Sequence, residues 1–267
     1  MRKKNPILSE VPKAMRRDVY ERAKETQNGN VLFEDPKAVE LVENWKHVFR
    51  VSDAGMEMKL DVLARAIMLD NMVRIFLEKR PRAMVINIGC GLDTRCYRRE
   101  GSYRKWYNID AKEIIDARAL LLPEEAPPIF QVAASITDEA WAEQIPYIGE
   151  PLLIIIEDVT MHLSEEEVLT LFKIIEKTFY KATLLVEIMS PLATKCFIDK
   201  SGKKWYKRYK FGVESGECLV GKLTNYVHVA DHSLLEIMSL YNPLYKLVRR
   251  IPYLSDLANK VVIMRKE

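Results

Sequence analysis

Between residues 83 and 188, five short apolar runs follow one another at helix-length intervals: Ala83–Ile88, Trp106–Ile109, Ile129–Ala133, Leu152–Ile156 and Thr183–Ile188. Runs this short and this largely apolar read as buried strands, with room for a crossover helix between most neighbours. The alternation predicts βαβ units, and therefore an α/β fold around a mainly parallel sheet. The clearest crossover follows the fourth run. There Ser164 and Glu167 have capping-box spacing, and Val168, Leu171, Phe172, Ile175 and Phe179 make one apolar stripe.

Ahead of the strands, Asp18 to Leu77 carries helical signals, with Leu60, Leu63, Ala64, Ile67, Met68 and Val73 at three- and four-residue recurrences. Residues 1–80 are therefore expected to form a helical N-terminal cap, and residues 81–267 a core of the Rossmann-like kind. Beyond the fifth run, a strand is expected around Asn225–Val229, a helix near Ser233–Leu240 and a last strand at Val261–Met264, the two strands pairing as an antiparallel edge. The stretch Lys200–Phe211 is basic and aromatic, and residues 190–222 read as a lid insertion; the plainer alternative is a solvated loop.

A chain of 267 residues can bury one substantial core, and without repeats or a linker the whole length 1–267 reads as a single domain. The 48% hydrophobic content and 30% charged content exclude a disordered chain. The 41 basic and 38 acidic residues leave a net charge of only +3, which gives no footprint for nucleic acid and favours a small-molecule partner. Cys90, Cys96, Cys196 and Cys218 show no C-x-x-C pair and no companion histidine at metal spacing, so no metal is expected and free thiols fit a cytoplasmic protein. The basic start, Met1 to Pro6, leads into Glu10, Arg16, Arg17 and Asp18 rather than an apolar signal core, and the run from Pro151 to Ile156 is far short of the roughly 20 residues that span a bilayer. Neither export nor membrane embedding is expected.

In an open α/β sheet, ligands bind beyond the carboxyl ends of the strands, so the residues following each run carry the chemistry. The first is followed by Gly89, Cys90 and Gly91, where two glycines permit a tight turn and close backbone approach. The second ends at Asp110, about twenty residues on, placed to accept from both ribose hydroxyls of an adenosine-containing cofactor. Ala134, Ser135 and Ile136 follow the third and suit an adenine edge and face. Glu157 closes the fourth, where a carboxylate beside a buried strand must be solvated, paired or hydrogen-bonded, and it suits a cationic amine. Each feature has a plain counterpart: a strand-to-helix turn at the glycines, an N-cap at Asp110 completed by Glu113, and a turn residue at Ser135. A dinucleotide fingerprint fits less well, because Thr94 stands where a third glycine belongs and Asp93 would sit near a pyrophosphate.

The segment Asn87-Ile88-Gly89-Cys90-Gly91-Leu92-Asp93-Thr94-Arg95 resembles the G-x-G-L-D-T-R motif of the leucine carboxyl methyltransferase family, and more closely its bacterial tetracenomycin-polyketide O-methyltransferase branch. Val62–Ala66, Trp106–Arg118, Glu157–Leu163 and Glu187–Pro191 support the likeness in the same order. The resemblance implies a class I S-adenosylmethionine-dependent methyltransferase sheet. It also implies that Arg65 meets the cofactor carboxylate, Gly89, Cys90 and Gly91 lie beneath the cofactor, Asp110 binds ribose, Ser135 and Ile136 contact adenine, and Glu157 stands near the methionine portion. The family's E-G-x-x-x-Y-L here reads Glu157-Asp158-Val159-Thr160-Met161-His162-Leu163, with Asp158 for Gly and His162 for Tyr.

The expected activity is O-methylation of a hydroxyl or carboxyl group on a small acceptor, aromatic or polyketide-like in character. Methyl transfer from a sulfonium is an in-line displacement; a carboxylate acceptor needs no base, whereas a phenol benefits from one. His162, His228 and His232 are the candidate bases. Two other readings stay open: a methyltransferase fold that has become a binding module, and an NAD-linked oxidoreductase. Binding of S-adenosylmethionine, of neither nucleotide, or of NADH separates the three.

Overall fold

The computed structural model describes residues 11–49, 56–196 and 209–267, with side chains from residue 60 onward in the helix that begins at Met56. Seven strands form one sheet: β1 Met84–Ile88, β2 Lys105–Asp110, β3 Ile129–Ala133, β4 Leu152–Ile156, β5 Ala182–Ile188, β6 Tyr226–Ser233 and β7 Lys260–Lys266. Their spatial order is β3-β2-β1-β4-β5-β7-β6. The first five pair in parallel, and β7 runs antiparallel to both β5 and β6. The expected antiparallel pair is present, with one addition the sequence did not contain: β7, the last strand in the chain, inserts between β5 and β6.

The runs of β1, β4 and β5 are largely apolar because both faces are covered, whereas β3, at the sheet edge, is only half-buried and ends on an exposed Ala133, against the expectation of a buried strand. Met84, Ile86 and Ile88 of β1 join a cluster with Val168, Leu171, Phe172 and Ile175, while Val85 points the other way, to Ala64, Met68, Leu69 and Val73. The first group lies on the helix Glu165–Thr178 and the second on the helix Met56–Lys79. Fully burying one such aliphatic or aromatic side chain stabilises the fold by roughly 1.5–3 kcal/mol.

Three helices precede β1: α1 Lys13–Gln27, α2 Pro36–Asn44 and α3 Met56–Lys79. Asp35 caps α2 by accepting from the Ala38 amide at 3.0 Å, with proline at the first position. Glu165–Thr178 is α4, and Ser164 and Glu167 form both halves of its capping box. Val11, Val19, Ala23, Ala38 and Leu41 from this N-terminal part pack against Leu92, Ala117 and Leu121, which seats α1 and α2 on the loop after β1.

Between β6 and β7 the chain makes α5 Leu235–Tyr241, then short helical turns at Leu244–Val248 and Pro252–Ser255. Most of the basic-aromatic stretch Lys200–Phe211 lies outside the described residues; Tyr209, Lys210 and Phe211 are described. Among the described residues no helix is long and apolar enough to cross a membrane.

Candidate functional site

Strand order reverses between β1 and β4, so the carboxyl ends of β1, β2 and β4 meet where an open α/β sheet binds its ligand. Register brings Ile88 beside both Ile109 and Ile156, and hence Gly89, Asp110 and Glu157 to adjacent positions.

Gly89 and Gly91 have φ of 68° and 48°, the left-handed region in which a side chain is strained. A Cβ at Gly89 would also meet Val159 Cγ2 at 2.3 Å. Here the glycines serve close packing of protein on protein, since Met15 of α1 lies 3.4 Å from where a Gly91 side chain would begin. Helix α1 thus crosses the loop as its cover. From below, the buried Arg118 donates to the carbonyls of Gly91 at 3.2 Å and Asp93 at 2.7 Å. Cys90 is buried, and that burial pushes its thiol well above the ordinary range, which makes it a packing residue and not a nucleophile.

Asp110 is half-buried at the end of β2. Its Oδ2 accepts from the Gly91 amide at 2.8 Å and its Oδ1 from the Ala111 amide at 2.8 Å. Burial raises its pKa and the two amides oppose the rise. The capping-box alternative is not what forms: Ala111 is the N-cap of the following helix, Lys112–Leu121, and makes no side-chain cap bond. Two backbone donors leave lone pairs on each carboxylate oxygen for further donors.

At the end of β3, Ser135 is exposed with its hydroxyl 3.0 Å from that of Thr137. Ile136 is partly buried against the core, and its carbonyl accepts from Trp141 at 3.1 Å.

Glu157 is more heavily engaged than its position in the sequence suggests. Its Oε1 accepts from Arg65 Nε at 2.9 Å and its Oε2 from Arg95 Nη1 at 2.9 Å. An incoming amine would share the carboxylate with two guanidinium groups. Arg65, reaching in from α3, also donates to Asp18 at 2.9 Å and stands 3.6 Å from Glu187. Asp93 carries no isolated charge: it accepts from Asn87 at 2.9 Å and from Arg95 at 2.7 Å. Its negative charge is compensated within the loop, so it argues less strongly against a phosphate than the sequence alone implies.

The three histidines separate. His162 lies in a 3-10 turn, Thr160–His162, with Nε2 3.4 Å from Asp158 Oδ1 and its ring 5.3 Å from that of Tyr209. His228 and His232 sit on β6, three places from β4 in the sheet or about 14 Å at ordinary strand spacing. They pair there with Asp231 at 2.8 Å and Glu236 at 3.3 Å. Sheet order therefore removes both from the site.

Four further residues belong to the site. Asp18, Asp61 and Glu187 surround Arg65, and burial, opposed by Arg65, pushes each of their pKa values up, that of Glu187 to about 8. Glu187 is fully buried; it accepts from the Asp158 amide at 2.7 Å and from Asn259 at 2.7 Å. Arg95 joins Asp70, Asp93 and Glu157. A signal for Glu187 was available, since it is the acid inside the buried run Thr183–Ile188. Asp18 gave none, because its contact with Arg65 spans 47 residues.

The donor set suits a ligand carrying ribose hydroxyls and positive charge. Asp110 offers acceptors at the end of β2, and Asp158 adds a fifth carboxylate to Asp18, Asp61, Glu157 and Glu187 around Arg65.

The model of the leucine carboxyl methyltransferase family matches residues 17–176. The tetracenomycin polyketide synthesis O-methyltransferase TcmP of Streptomyces glaucescens is 30% identical over 148 residues, 55% of this chain and 54% of that protein. The S-adenosyl-L-methionine-dependent methyltransferase dpfgK of Gibberella zeae is 28% identical over 182 residues, 60% of this chain and 59% of that one. The matched regions thus span somewhat more than half the length of these relatives. Among solved structures, a duf574 family protein from Streptomyces avermitilis superposes with a TM-score of 0.61 at 10% identity, covering 98% of this chain and 100% of that one. Magnesium protoporphyrin IX methyltransferase from Synechocystis superposes at 0.53 with 10% identity, over 87% of this chain and 100% of that one. At such identities the likeness is one of fold.

Proposed function

Because the chain belongs to the leucine carboxyl methyltransferase family, we propose that it transfers the methyl group of S-adenosylmethionine to an oxygen of a small organic acceptor. The observation that carries this reading is the meeting of Asp110, with its remaining lone pairs, and the acid-rich surroundings of Arg65 where strand order reverses. When bound, S-adenosylmethionine supplies a sulfonium methyl group for in-line displacement. The chain's own residues bind and align. Asp110 would accept from the ribose hydroxyls, Gly89, Cys90 and Gly91 would form the floor, and Ser135 and Ile136 would border the adenine. Arg65 would meet the amino-acid carboxylate, and Glu157 with its neighbouring carboxylates would offset the positive charge.

His162 is the base in this reading. What supports it is its place in the turn just after β4, with Nε2 3.4 Å from Asp158 Oδ1, a carboxylate that can orient the ring toward an acceptor hydroxyl. That favours a hydroxyl acceptor over a carboxylate, which would arrive already ionised. Tyr209 beside His162, and the Lys210 amide donating to the Met161 carbonyl at 2.8 Å, support a place on the acceptor side for residues 209–211, the described end of the stretch expected to be a lid.

Calorimetric titration with S-adenosylmethionine tests the cofactor assignment. The chain should bind it, and Asp110→Ala should weaken binding by about 1–3 kcal/mol, the scale for losing charge-assisted hydrogen bonds. Unchanged affinity would remove Asp110 from the site. Absence of binding by the unsubstituted chain, with or without NADH binding, would overturn the reading as a whole.

A further inference from the structure

The segment between β6 and β7 buries one set of large apolar side chains and exposes another. One set packs inward: Leu234, Leu235 and Met238 are buried in the cluster under α3, with Tyr245 and Val248 packed against it. The other faces outward, where Leu240, Leu244, Leu247 and Ile251 are 59%, 64%, 56% and 49% exposed. Leu240 lies on α5, Leu244 and Leu247 on the turn Leu244–Val248, and Ile251 just before the turn Pro252–Ser255, where Tyr253 is 60% exposed, so the exposure runs through three successive short elements. Exposed apolar residues scattered singly are ordinary, whereas a run of large aliphatic side chains exposed along one segment marks a surface that meets something.

Charge says what it meets. From Ile237 to Ser255 there is no acidic residue, and Lys246, Arg249 and Arg250 are exposed among the apolar side chains. Arg249 is drawn to Glu236 at 3.2 Å, just before this stretch; Lys246 and Arg250 face outward beside Leu247 and Ile251. Large aliphatics interleaved with cations and tyrosine are the composition of a segment that lies in a lipid headgroup layer. A second copy of the chain fits poorly, because a two-fold contact would set Lys246 and Arg250 against like charges.

The segment also has a place relative to the site. It leaves β6 at Ser233 and enters β7 at Lys260, which pairs with Ile188 at the end of β5, so it stands at the carboxyl edge of the parallel strands. Tyr241 donates to Glu25 of α1 at 3.0 Å, and the Asp256 carbonyl accepts from Ser190, just beyond β5.

We propose that residues 240–254 form a docking surface for an anionic lipid bilayer, which holds the carboxyl edge of the sheet against the membrane surface. The proposal concerns peripheral adsorption, and it stands whether or not the methyl-transfer reading does.

Cosedimentation of the full chain with vesicles tests it. Vesicles of phosphatidylcholine containing about one third phosphatidylglycerol should carry the protein down, pure phosphatidylcholine vesicles much less, and added salt should release it. Lys246→Glu with Arg250→Glu should weaken binding to the anionic vesicles by about tenfold or more, and Leu244→Ser with Leu247→Ser comparably. All four positions are exposed, so circular dichroism melts of both variants should match the parent; the salt dependence needs no variant at all. Failure to bind anionic vesicles at low salt would overturn the proposal. So would binding that both variants leave unchanged. Dimerisation lost in the leucine variant would assign the surface to a second copy, and binding of polyglutamate without binding of vesicles would assign it to an acidic protein; either result would also overturn it.

Discussion

The loop after β1 and the loop after β4 adjoin at the carboxyl edge of the sheet, yet their charges are balanced in opposite ways. Around the first, arginines are plentiful. Arg95 and Arg98 outweigh the burial of Asp70 and hold its carboxyl well below the usual range, and Arg98 and Arg22 do the same for Asp35. Around the second, Arg65 faces Asp18, Asp158, Glu157 and Glu187, and burial leaves Asp18, Asp61 and Glu187 with raised pKa values. The first loop is a scaffold whose charges are settled on folding. The second holds unspent negative charge, which a cationic ligand or a proton can neutralise.

The largest test of that contrast removes an arginine from the scaffold. Arg95→Ala leaves Asp70, Asp93 and Glu157 short of a buried partner and should cost about 3–5 kcal/mol in a urea unfolding experiment. A loss under about 1 kcal/mol would mean that the arginines around the first loop are not what fixes it.

Gly89→Ala probes the contact between the loops. A left-handed backbone and the approach of Val159 Cγ2 should together cost about 2–4 kcal/mol in stability. Adding Val159→Ala should recover the steric part and leave about 1–2 kcal/mol of backbone strain. If the second change recovers nothing, the glycine answers to backbone conformation alone.

Protonation separates the loops with smaller energies. Burial, opposed by Arg65, raises Glu187 from 4.5 to about 8, so the folded chain retains a proton that the unfolded chain releases. The favourable contribution is greatest at low pH, falls as pH rises from 4.5 through about 8, and is constant above. Its slope is at most about 1.4 kcal/mol per pH unit. Melting temperatures across that window should fall less steeply in Glu187→Gln than in the parent, and equal slopes would contradict the assignment. Asp70 has the opposite sign: its contribution is present above the ordinary carboxylate range and is lost on acidification, so Asp70→Asn should harm stability at neutral pH and little in acid.

The smallest expected effect is a gain. Asp158 has φ of 52° where the family pattern has glycine, and Asp158→Gly should raise unfolding stability by about 1 kcal/mol. On the proposed mechanism the same change should slow methylation of a hydroxyl acceptor, because His162 loses its carboxylate. A stabilised variant with unimpaired turnover would leave Asp158 without a part in the reaction.

Much of this architecture was legible before any coordinates. Each of the five apolar runs contains or overlaps a strand, the capping box at Ser164 forms, and Gly89, Gly91, Asp110 and Glu157 adjoin one another as the strand-end rule requires. The histidines show the limit of such reading. His162, His228 and His232 are equivalent as residue types, and only sheet order separates the first from the other two. Glu157 had to be solvated, paired or hydrogen-bonded, and its partner was not legible because Arg65, 92 residues away, is not a local feature.

Taken alone, the sequence determined whatever depends on neighbours along the chain: the alternation of strands and helices, the caps, and the turns that glycine allows. These rest on side-chain periodicity and local sterics, which act over a few residues. Tertiary structure decided the insertion of β7 beside β5, the crossing of α1 over the glycine loop, and the pairing of each arginine with its carboxylates. It also decided which acids gain or lose protons. Desolvation and ion pairing depend on what folding brings together from distant parts of the chain, and local sequence does not encode those distances.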